Sequence, residues 1–416
     1  MAASVLVSTP DLRPSLLSIL QGLVENGLLA RVATTISLSP RQIELFSRIP
    51  GLGSRLAQTL ARRQTPPFLA GKIDHIWTRE LLRNVSARIA SPVFTHAVWE
   101  WAETSFDRTV ARRYGGRFDL VYGMEHSSLA TFERQKADGK LCVLRQVTAH
   151  ARTLSLIVRR ETERFPDLVN PYHRTLLAAE DKIVRRKEAE YALSDLIVAN
   201  SDYVRKTFIA NGVSPERIVA VPTGCPAADL IGARSGAGSQ PLRFLYVGAL
   251  SLRKGFPYLL EAWRSVDPGR HAELWIVGKP EFEISGLLEG ESNIRHLGLL
   301  TKDELRDVYR QADVMVLPTL CEGLAHSVLE ALSFGLPVVT TEASGAGNLI
   351  VSGENGLLVP EADADLLAAA IAEMIRRRAN LPSMGARSVE RARAWTVAQS
   401  NAEHLRRLQE FIGKRG

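Results

Sequence analysis

The chain has 416 residues, of which 45% are apolar and 23% charged, and this composition is typical of a globular protein of two domains. No stretch approaches the ~20 apolar residues that cross a bilayer, and the apolar run at residues 3–7 is too short for the core of a signal peptide. Three scattered cysteines indicate neither a disulfide framework nor a zinc site, so we expect a cytosolic protein.

The net charge of +7 is distributed unevenly along the chain. Residues 1–240 contain 32 basic and 23 acidic residues, whereas residues 241–416 contain 20 and 22. A basic first half predicts an anionic partner, and nucleic acid, an anionic membrane surface and a merely solvated basic surface all stay open. In the segment 40–115, which we predict to be mostly helical, Arg55, Arg62 and Arg63 alternate with apolar residues, as in helices that lie on membranes. A helical insertion packed on a sheet fits this segment equally well.

Short apolar runs alternate with helical patterns through the first half. The runs that we interpret as strands are 3–7, 118–122, 141–144, 195–199 and 218–221. Such alternation predicts a parallel sheet with helices on both faces. His126 and His150 each follow one of these runs, although a histidine in a loop is more often structural than catalytic. Glu188 and Glu190 precede another run, and we expect them on a solvated or interface helix.

The second half repeats the same alternation after residues 227–241, whose Ala, Gly and Ser are typical of a linker. The runs that we interpret as strands here are 243–248, 273–278, 294–298, 314–317 and 338–341. Arg253 and Lys254 lie in the turn after the first of them, where cations suit an anionic ligand. The second half therefore predicts another parallel α/β sheet.

Residues 312–360 carry two carboxylates in a strand–loop–helix–strand unit. Glu322 lies in the loop, a helix begins at Ser327, and Glu330 follows Glu322 after seven intervening residues. Open α/β sheets bind ligands at the carboxyl ends of strands, and a helix N-terminus favours an anion such as phosphate. A carboxylate accepts hydrogen bonds from vicinal hydroxyls, which suits sugar and ribose diols. A capping glutamate and a solvated helix glutamate explain the same spacing.

The whole stretch resembles the C-terminal signature of the family-4 retaining glycosyltransferases. It has their E-x7-E motif, an alanine-rich helix, G-x-PVV, a glycine loop at Gly345 and Gly347, and NG-x-L-V-P. The resemblance implies an α/β protein of the GT-B type, with two Rossmann-like, doubly wound parallel-sheet domains facing across a cleft. Residues 1–224 would bind the acceptor, residues 225–395 would bind a nucleotide-sugar donor, and a C-terminal helix at 396–416 would pack back on the first domain.

The resemblance also assigns roles to individual residues. It implies catalytic roles for Glu322, His150 and Lys254, with Glu330 on the donor's ribose. The residues that it places around the donor are Arg253, Lys254, Glu322, Gly323, Leu324, Ser327, Val328, Glu330 and Leu297. His126 and Arg13 are candidates on the acceptor side. This chain lacks the paired glycines that many family members have in the first loop, and Ala249 replaces the usual arginine before Arg253.

The resemblance implies a hexosyltransferase that moves a sugar from a UDP- or GDP-sugar to a hydroxyl acceptor with retention. Polysaccharide, glycolipid or another glycoconjugate would be the product. We expect no metal and no other cofactor, no nucleic-acid partner, and a lipid-linked acceptor that would place the enzyme on the inner face of the membrane. A nucleotide-sugar epimerase on the same fold and a non-catalytic basic membrane or nucleic-acid binding protein stay as alternatives.

Overall fold

The computed structural model describes residues 3–12, 14–35, 37–38, 43, 64–76, 92–226 and 241–414. Within these residues all strands of the two sheets pair in parallel. The first sheet has the order β3-β2-β1-β4-β5-β6-β7 and the second the order β10-β9-β8-β11-β12-β13. The strands are β1 (Val5–Ser8), β2 (Leu29–Thr34), β3 (Ile73–His75), β4 (Leu120–Met124), β5 (Leu141–Gln146), β6 (Leu196–Ala199), β7 (Ile218–Ala220), β8 (Leu242–Val247), β9 (Ala272–Val277), β10 (Ile294–Gly298), β11 (Val314–Leu317), β12 (Val338–Thr341) and β13 (Gly356–Val359).

Helices connect the strands and cover the faces of both sheets. The described α-helices are α1 (Pro14–Glu25), α2 (Pro92–Tyr114), α3 (Leu129–Ala137), α4 (Ala151–Arg164), α5 (Pro171–Leu193), α6 (Asp202–Ala210), α7 (Phe256–Val266), α8 (Ser285–Leu288), α9 (Lys302–Gln311), α10 (His326–Ser333), α11 (Ala364–Arg376), α12 (Leu381–Ala394) and α13 (Val397–Gly413). In the part of the chain that is described, every helix is too short or too polar to cross a bilayer.

The predicted fold class is confirmed, because strands buried on both faces form the centre of each sheet. Val7 pairs with Val32 on one side and with Tyr122 on the other, and all three side chains are fully buried. Continuous apolar runs are typical of such strands, since helices cover both faces of a parallel sheet. The first sheet accordingly has a separate apolar core on each face.

The expectation that residues 40–115 are mostly helical is confirmed for α2, but it is wrong near Ile73. Residues 73–75 form β3, which pairs with β2, and β2 itself was not predicted. Both strands lack a continuous apolar run, and pairing with the neighbouring strand compensates for weak local preference. Arg13, Arg55, Arg62, Arg63 and the linker 227–240 lie outside the described residues.

The last helix, α13, packs against α1 of the first sheet. Leu408 is buried in the same core as Leu20 and Leu23, and a side chain added at Gly22 would meet Leu405. Thr396 begins the helix with a capping box, in which its hydroxyl accepts from the backbone N–H of Gln399. The end of the chain therefore contributes to the core of the first sheet.

Candidate active site

A cavity of about 210 Å³ lies between the carboxyl ends of the two sheets. Because every strand within a sheet runs in the same direction, the loops after the strands meet at one edge. The first sheet contributes Asp11, Leu16, Met124, Arg145, Val147, Thr148, Asn200 and Thr223. The second sheet contributes Glu322, Gly323, Leu324 and His326. The cavity is thus a composite site that neither sheet forms alone.

Glu322 lies between two cations in this cavity. Its Oε1 is 2.8 Å from Nζ of Lys254 and also accepts from Nη1 of Arg253. Nη1 of Arg253 donates a second hydrogen bond, of 2.8 Å, to the carbonyl of Cys321. Two positive charges around one carboxylate leave a net positive charge, which suits a ligand with more negative charge than Glu322 alone, such as a diphosphate.

Backbone contacts hold the Arg253 turn against the Glu322 loop. The N–H of Leu320 donates to the carbonyl of Arg253 over 2.9 Å. Gly255 has φ +68°, and a Cβ there would lie 1.9 Å from the carbonyl oxygen of Pro318. Only glycine permits this close approach, so the sequence Arg253-Lys254-Gly255 places both cations beside the loop.

Glu330 lies one turn inside α10 and is held by a tyrosine from α9. The hydroxyl of Tyr309 donates to Oε2 of Glu330 over 3.0 Å and lies 3.2 Å from the carbonyl of Ser327. The ring of Tyr309 is buried and stacks on Phe334, with centroids 5.1 Å apart. Burial raises the pKa of the Glu330 carboxyl, although the hydrogen bond from Tyr309 opposes the shift.

The other predicted donor residues differ in what they can offer a ligand. Leu324 lines the cavity, and Ser327 is half-buried in the first turn of α10. The side chain of Val328 is fully buried in the apolar core of the second sheet, so only its backbone can face a ligand. Leu297, on the edge strand β10, is half-buried and packs against that core.

At Gly323 the backbone of the second half comes very close to the first half. A Cβ at this position would lie 1.6 Å from the carbonyl oxygen of Val147 and 2.8 Å from Nδ2 of Asn200. Both neighbours belong to the first sheet, and Nδ2 of Asn200 itself lies 3.3 Å from the Val147 carbonyl. Any side chain at Gly323 therefore separates the two walls of the cavity.

We expect Gly323→Ala to lower turnover while leaving nucleotide binding by the second half intact. The added methyl group collides with a backbone oxygen, which cannot move aside as the end of a flexible side chain would. Steady-state kinetics, with X-ray scattering to detect a larger radius of gyration, measure the effect. Gly347→Ala is the matched control, because its Cβ would meet neighbours at 3.6 Å or more. Equal kinetics for both variants would contradict the prediction.

His150 is not part of the cavity wall, in contrast to the catalytic role that the resemblance implies. Its side chain is 3% exposed and caps α4, where the imidazole accepts from the backbone N–H of Arg152. The ring packs against Phe208 and Tyr191, with centroids 4.9 and 5.0 Å away. Burial lowers the pKa of His150 to about 4, so the imidazole is neutral at pH 7. From the loop between β5 and α4, Val147 and Thr148 line the cavity instead.

This burial makes stability depend on pH. The folded pKa of His150 lies below the ordinary value of about 6.5, so the unfolded chain takes up the proton first and stability falls as the pH drops. We expect a loss of about 2 kcal/mol from this group between pH 7.5 and pH 5. His150→Asn keeps a capping acceptor but cannot titrate, and denaturant unfolding should show a smaller loss. Unchanged turnover would confirm that His150 takes no part in the chemistry, and an equal acid loss would contradict the pH assignment.

His126 lies in a buried polar cluster away from the described cavity wall. It has φ +70°, and its Nε2 lies 2.5 Å from Oε1 of Glu100. The backbone N–H groups of His126 and Ser128 donate to Glu190 over 2.6 and 2.9 Å. Glu190 is fully buried, which rules out the solvated alternative of its prediction and agrees with the interface alternative. Glu188 is half-buried and pairs with Arg152.

Sequence reasoning missed the first-sheet residues of the cavity wall and also His326 and Tyr309. Arg145, Asn200 and His326 line the cavity, and Tyr309 positions Glu330. Arg145 is the only one of them with a signal in the sequence, since a basic residue stands inside an otherwise apolar strand pattern. Among the described residues, no group of three or more His, Cys, Asp or Glu side chains is arranged to hold a metal ion.

Comparisons with known proteins agree with this geometry. Residues 241–377 match the family described as Glycosyl transferases group 1. The chain is 30% identical to the amylovoran biosynthesis glycosyltransferase AmsK of Erwinia amylovora over 53% of this chain and 57% of that protein. It is 28% identical to a D-inositol 3-phosphate glycosyltransferase of Kineococcus radiotolerans over 54% of this chain and 60% of that one. The crystal structure of Anabaena Alr3699/HepE in complex with UDP is 15% identical, covers 99% of this chain and all of its own, and has a TM-score of 0.61.

The two sheets and the cleft between them define a protein of the GT-B fold, and the structural similarity extends over nearly the whole chain. Residues 241–377, which hold the strands of the second sheet, match the group 1 glycosyltransferase model, and the predicted similarity to glycosyltransferases is confirmed at that level. The chain spans about half to three fifths of the length of these two curated relatives.

Proposed function

We propose that this protein is a retaining glycosyltransferase that moves a sugar from a nucleotide diphosphate to a hydroxyl acceptor in polysaccharide or other glycoconjugate synthesis. The observation that carries the proposal is Glu322 between Arg253 and Lys254, at a cavity shared by two sheets. The names of relatives that act in amylovoran and colanic acid biosynthesis support the product class. A neighbouring structure with bound UDP-glucose supports a UDP-sugar donor.

The donor would occupy the second-sheet side of the cleft. Glu330, fixed by Tyr309, accepts hydrogen bonds from the ribose diol. Lys254 and Arg253 bind the diphosphate beside the N-terminus of α10, whose dipole favours an anion. When the diphosphate attracts the two cations, Glu322 is released from its ion pairs and can accept hydrogen bonds from hydroxyls of the transferred sugar.

In the proposed reaction, the acceptor hydroxyl attacks the anomeric carbon from the same face of the sugar from which the diphosphate departs. The bond between the anomeric carbon and the diphosphate oxygen breaks, and the acceptor oxygen bonds to that carbon. The acceptor's proton passes to the departing phosphate, whose negative charge Lys254 and Arg253 offset. Glu322 and Asp11 are the carboxylates in the described cavity wall; the first is ion-paired and the second is exposed to solvent. Neither position suits a covalent nucleophile, so retention follows from front-face attack.

A thermal-shift screen of nucleotides and nucleotide sugars tests the proposal. Ligands that bind the folded state raise its melting temperature by mass action. We expect UDP or GDP and one of their sugars to raise it in the intact protein, and Lys254→Gln to reduce the effect. A new glycosidic linkage with the donor's anomeric configuration, seen by NMR, would support retention. Conversion of the donor to its epimer without any acceptor would instead identify an epimerase, and no shift with any nucleotide would refute donor binding.

We expect turnover to survive metal chelation. Arg253 and Lys254 already supply positive charge where the diphosphate would lie, which is the task that a divalent ion performs in metal-dependent transferases. Initial rates with and without EDTA measure this, with added Mg²⁺ or Mn²⁺ as the control. Loss of turnover in EDTA that either ion restores would contradict this donor site.

A lipid-linked acceptor and a location at the inner face of the membrane stay predictions. The basic residues that suggest them, Arg55, Arg62 and Arg63, lie outside the described residues. Co-sedimentation with anionic vesicles at increasing salt tests the prediction, because salt screens exposed charges over about 10 Å at 0.1 M. Equal recovery with neutral vesicles would refute it.

A further inference from the structure

A buried arginine in the first-sheet wall of the cleft has no counter-ion. Arg145 lies near the carboxyl end of β5, lines the cavity and is only 5% exposed. Alternation along β5 places its side chain on the same face as Val143, toward the core that α1 and α13 cover. Among the described residues, none forms an ion pair with Arg145. Arg186, on α5, is a buried arginine that does have a counter-ion, because it lies 2.8 Å from the buried carboxylate of Asp107.

The residues around Arg145 are neutral at pH 7. The hydroxyl of Tyr122 lies beside it and is 2.8 Å from Nε2 of His404. Burial raises the pKa of Tyr122, so the phenol keeps its proton. Burial and the positive charge of Arg145 lower the pKa of His404 well below its usual value, so the imidazole is uncharged.

The carboxylates of the cavity do not compensate this charge either. Glu322 is already paired with two cations, and Asp11 is exposed to solvent and forms no described ion pair with Arg145. Burying a guanidinium without a counter-ion is unfavourable. The protein therefore maintains an unfavourable charge at the wall of its own cleft, which points to a ligand that supplies the missing anion.

We propose that Arg145 is the anion-binding group of the acceptor subsite, and that the acceptor carries a carboxylate or a phosphate. The inference rests on the proposed glycosyltransferase function and names the chemical class of its acceptor. Arg145 belongs to the first sheet, whereas the cations assigned to the donor diphosphate belong to the second. The planar guanidinium matches carboxylate and phosphate oxygens in pairs. Asn200, in the same wall, has a buried Oδ1 without a hydrogen-bond partner, which suits a sugar hydroxyl.

Calorimetric titration of the full chain tests this assignment, with UDP saturating the donor site, or GDP if UDP does not bind. The probes are glucose 6-phosphate, glucuronate and neutral glucose, so that phosphate and carboxylate are distinguished. We expect at least one anionic probe to bind about ten- to a hundredfold more tightly than glucose, as a hydrogen bond between charged groups provides. Equal affinity for all three probes would overturn the inference. Failure of both UDP and GDP to bind would refute the donor site instead, so the two failures can be told apart.

Variants of Arg145 complete the test. Arg145→Gln should bind the anionic probe no more tightly than glucose and should bind UDP as the wild type does, whereas Arg145→Lys should keep part of the preference. The melting temperature of Arg145→Gln should stay equal or rise, because a buried charge without a partner is removed, whereas the matched control Arg186→Gln should melt lower. An unchanged anion preference in Arg145→Gln, or weaker UDP binding with that preference intact, would overturn the assignment.

Discussion

Glu322→Gln should lower kcat by about 10²–10³ while donor affinity stays the same or increases. The carboxylate lies beside the position proposed for the transferred sugar, where positive charge develops at the anomeric carbon, so it matters most in the transition state. In the ligand-free protein Glu322 competes for Lys254 and Arg253. Removing its charge frees both cations for the diphosphate. Steady-state kinetics and calorimetry with UDP separate the two effects.

Glu330→Gln is the matched control, because the same substitution falls on the second carboxylate of the motif. The hydrogen bonds that we propose between Glu330 and the ribose would be equally strong before and during the reaction, so their loss should raise KM and leave kcat nearly unchanged. We expect donor affinity to fall by about one to two decades. If both variants keep full turnover and full donor affinity, the two glutamates are structural in this protein. An inverted linkage in the product would contradict the proposed retaining mechanism.

Arg186→Met should destabilise the first half of the chain by about 3–5 kcal/mol. Two buried carboxylates lie at the start of α3, where Asp107 accepts from the backbone N–H groups of Ala130 and Thr131. Glu190 accepts from Ser128 at the same helix end. Arg186 is 2.8 Å from Asp107 and 4.0 Å from Glu190, so its removal takes away the cation that the described residues place within 4 Å of both carboxylates. Urea unfolding followed by circular dichroism measures the change.

The loss of unfolding free energy caused by Arg186→Met should depend on pH. Burial already raises the pKa of Glu190 to about 7, so the folded state holds this proton more tightly than the unfolded state. Such a group destabilises the fold as the pH rises, and the loss of Arg186 strengthens the effect. The variant should therefore be closer to wild type at pH 5 than at pH 8. Arg134→Met is the control, because Arg134 is 57% exposed and its pair with Asp138 contributes less than about 1 kcal/mol. Equal losses in both variants would contradict the assignment.

The sequence determined the central strands of both sheets and the edge at which the site lies. A strand that is buried on both faces is an uninterrupted apolar run. The four residues Val314–Leu317 are an example. Polar groups collect in the loops at their carboxyl ends, so Glu322 and Lys254 could be assigned to one ligand before the ion pair between them was seen. The strands β2 and β3 were missed because their stability comes from pairing with neighbours rather than from a local pattern.

Only the tertiary structure decided which polar side chains are covered and what they contact. A glutamate or a histidine on a helix or in a loop has the same local sequence whether water or another element covers it. The sequence left open whether Glu190 is solvated or lies at an interface, and the resemblance placed His150 beside the sugar, yet both side chains are buried because α3 and α6 pack over them. Tyr309 and Glu330 are 21 residues apart, and Arg145 and His404 are brought together by the last helix of the chain. Such contacts depend on how separate elements pack, which periodicity within one element cannot specify.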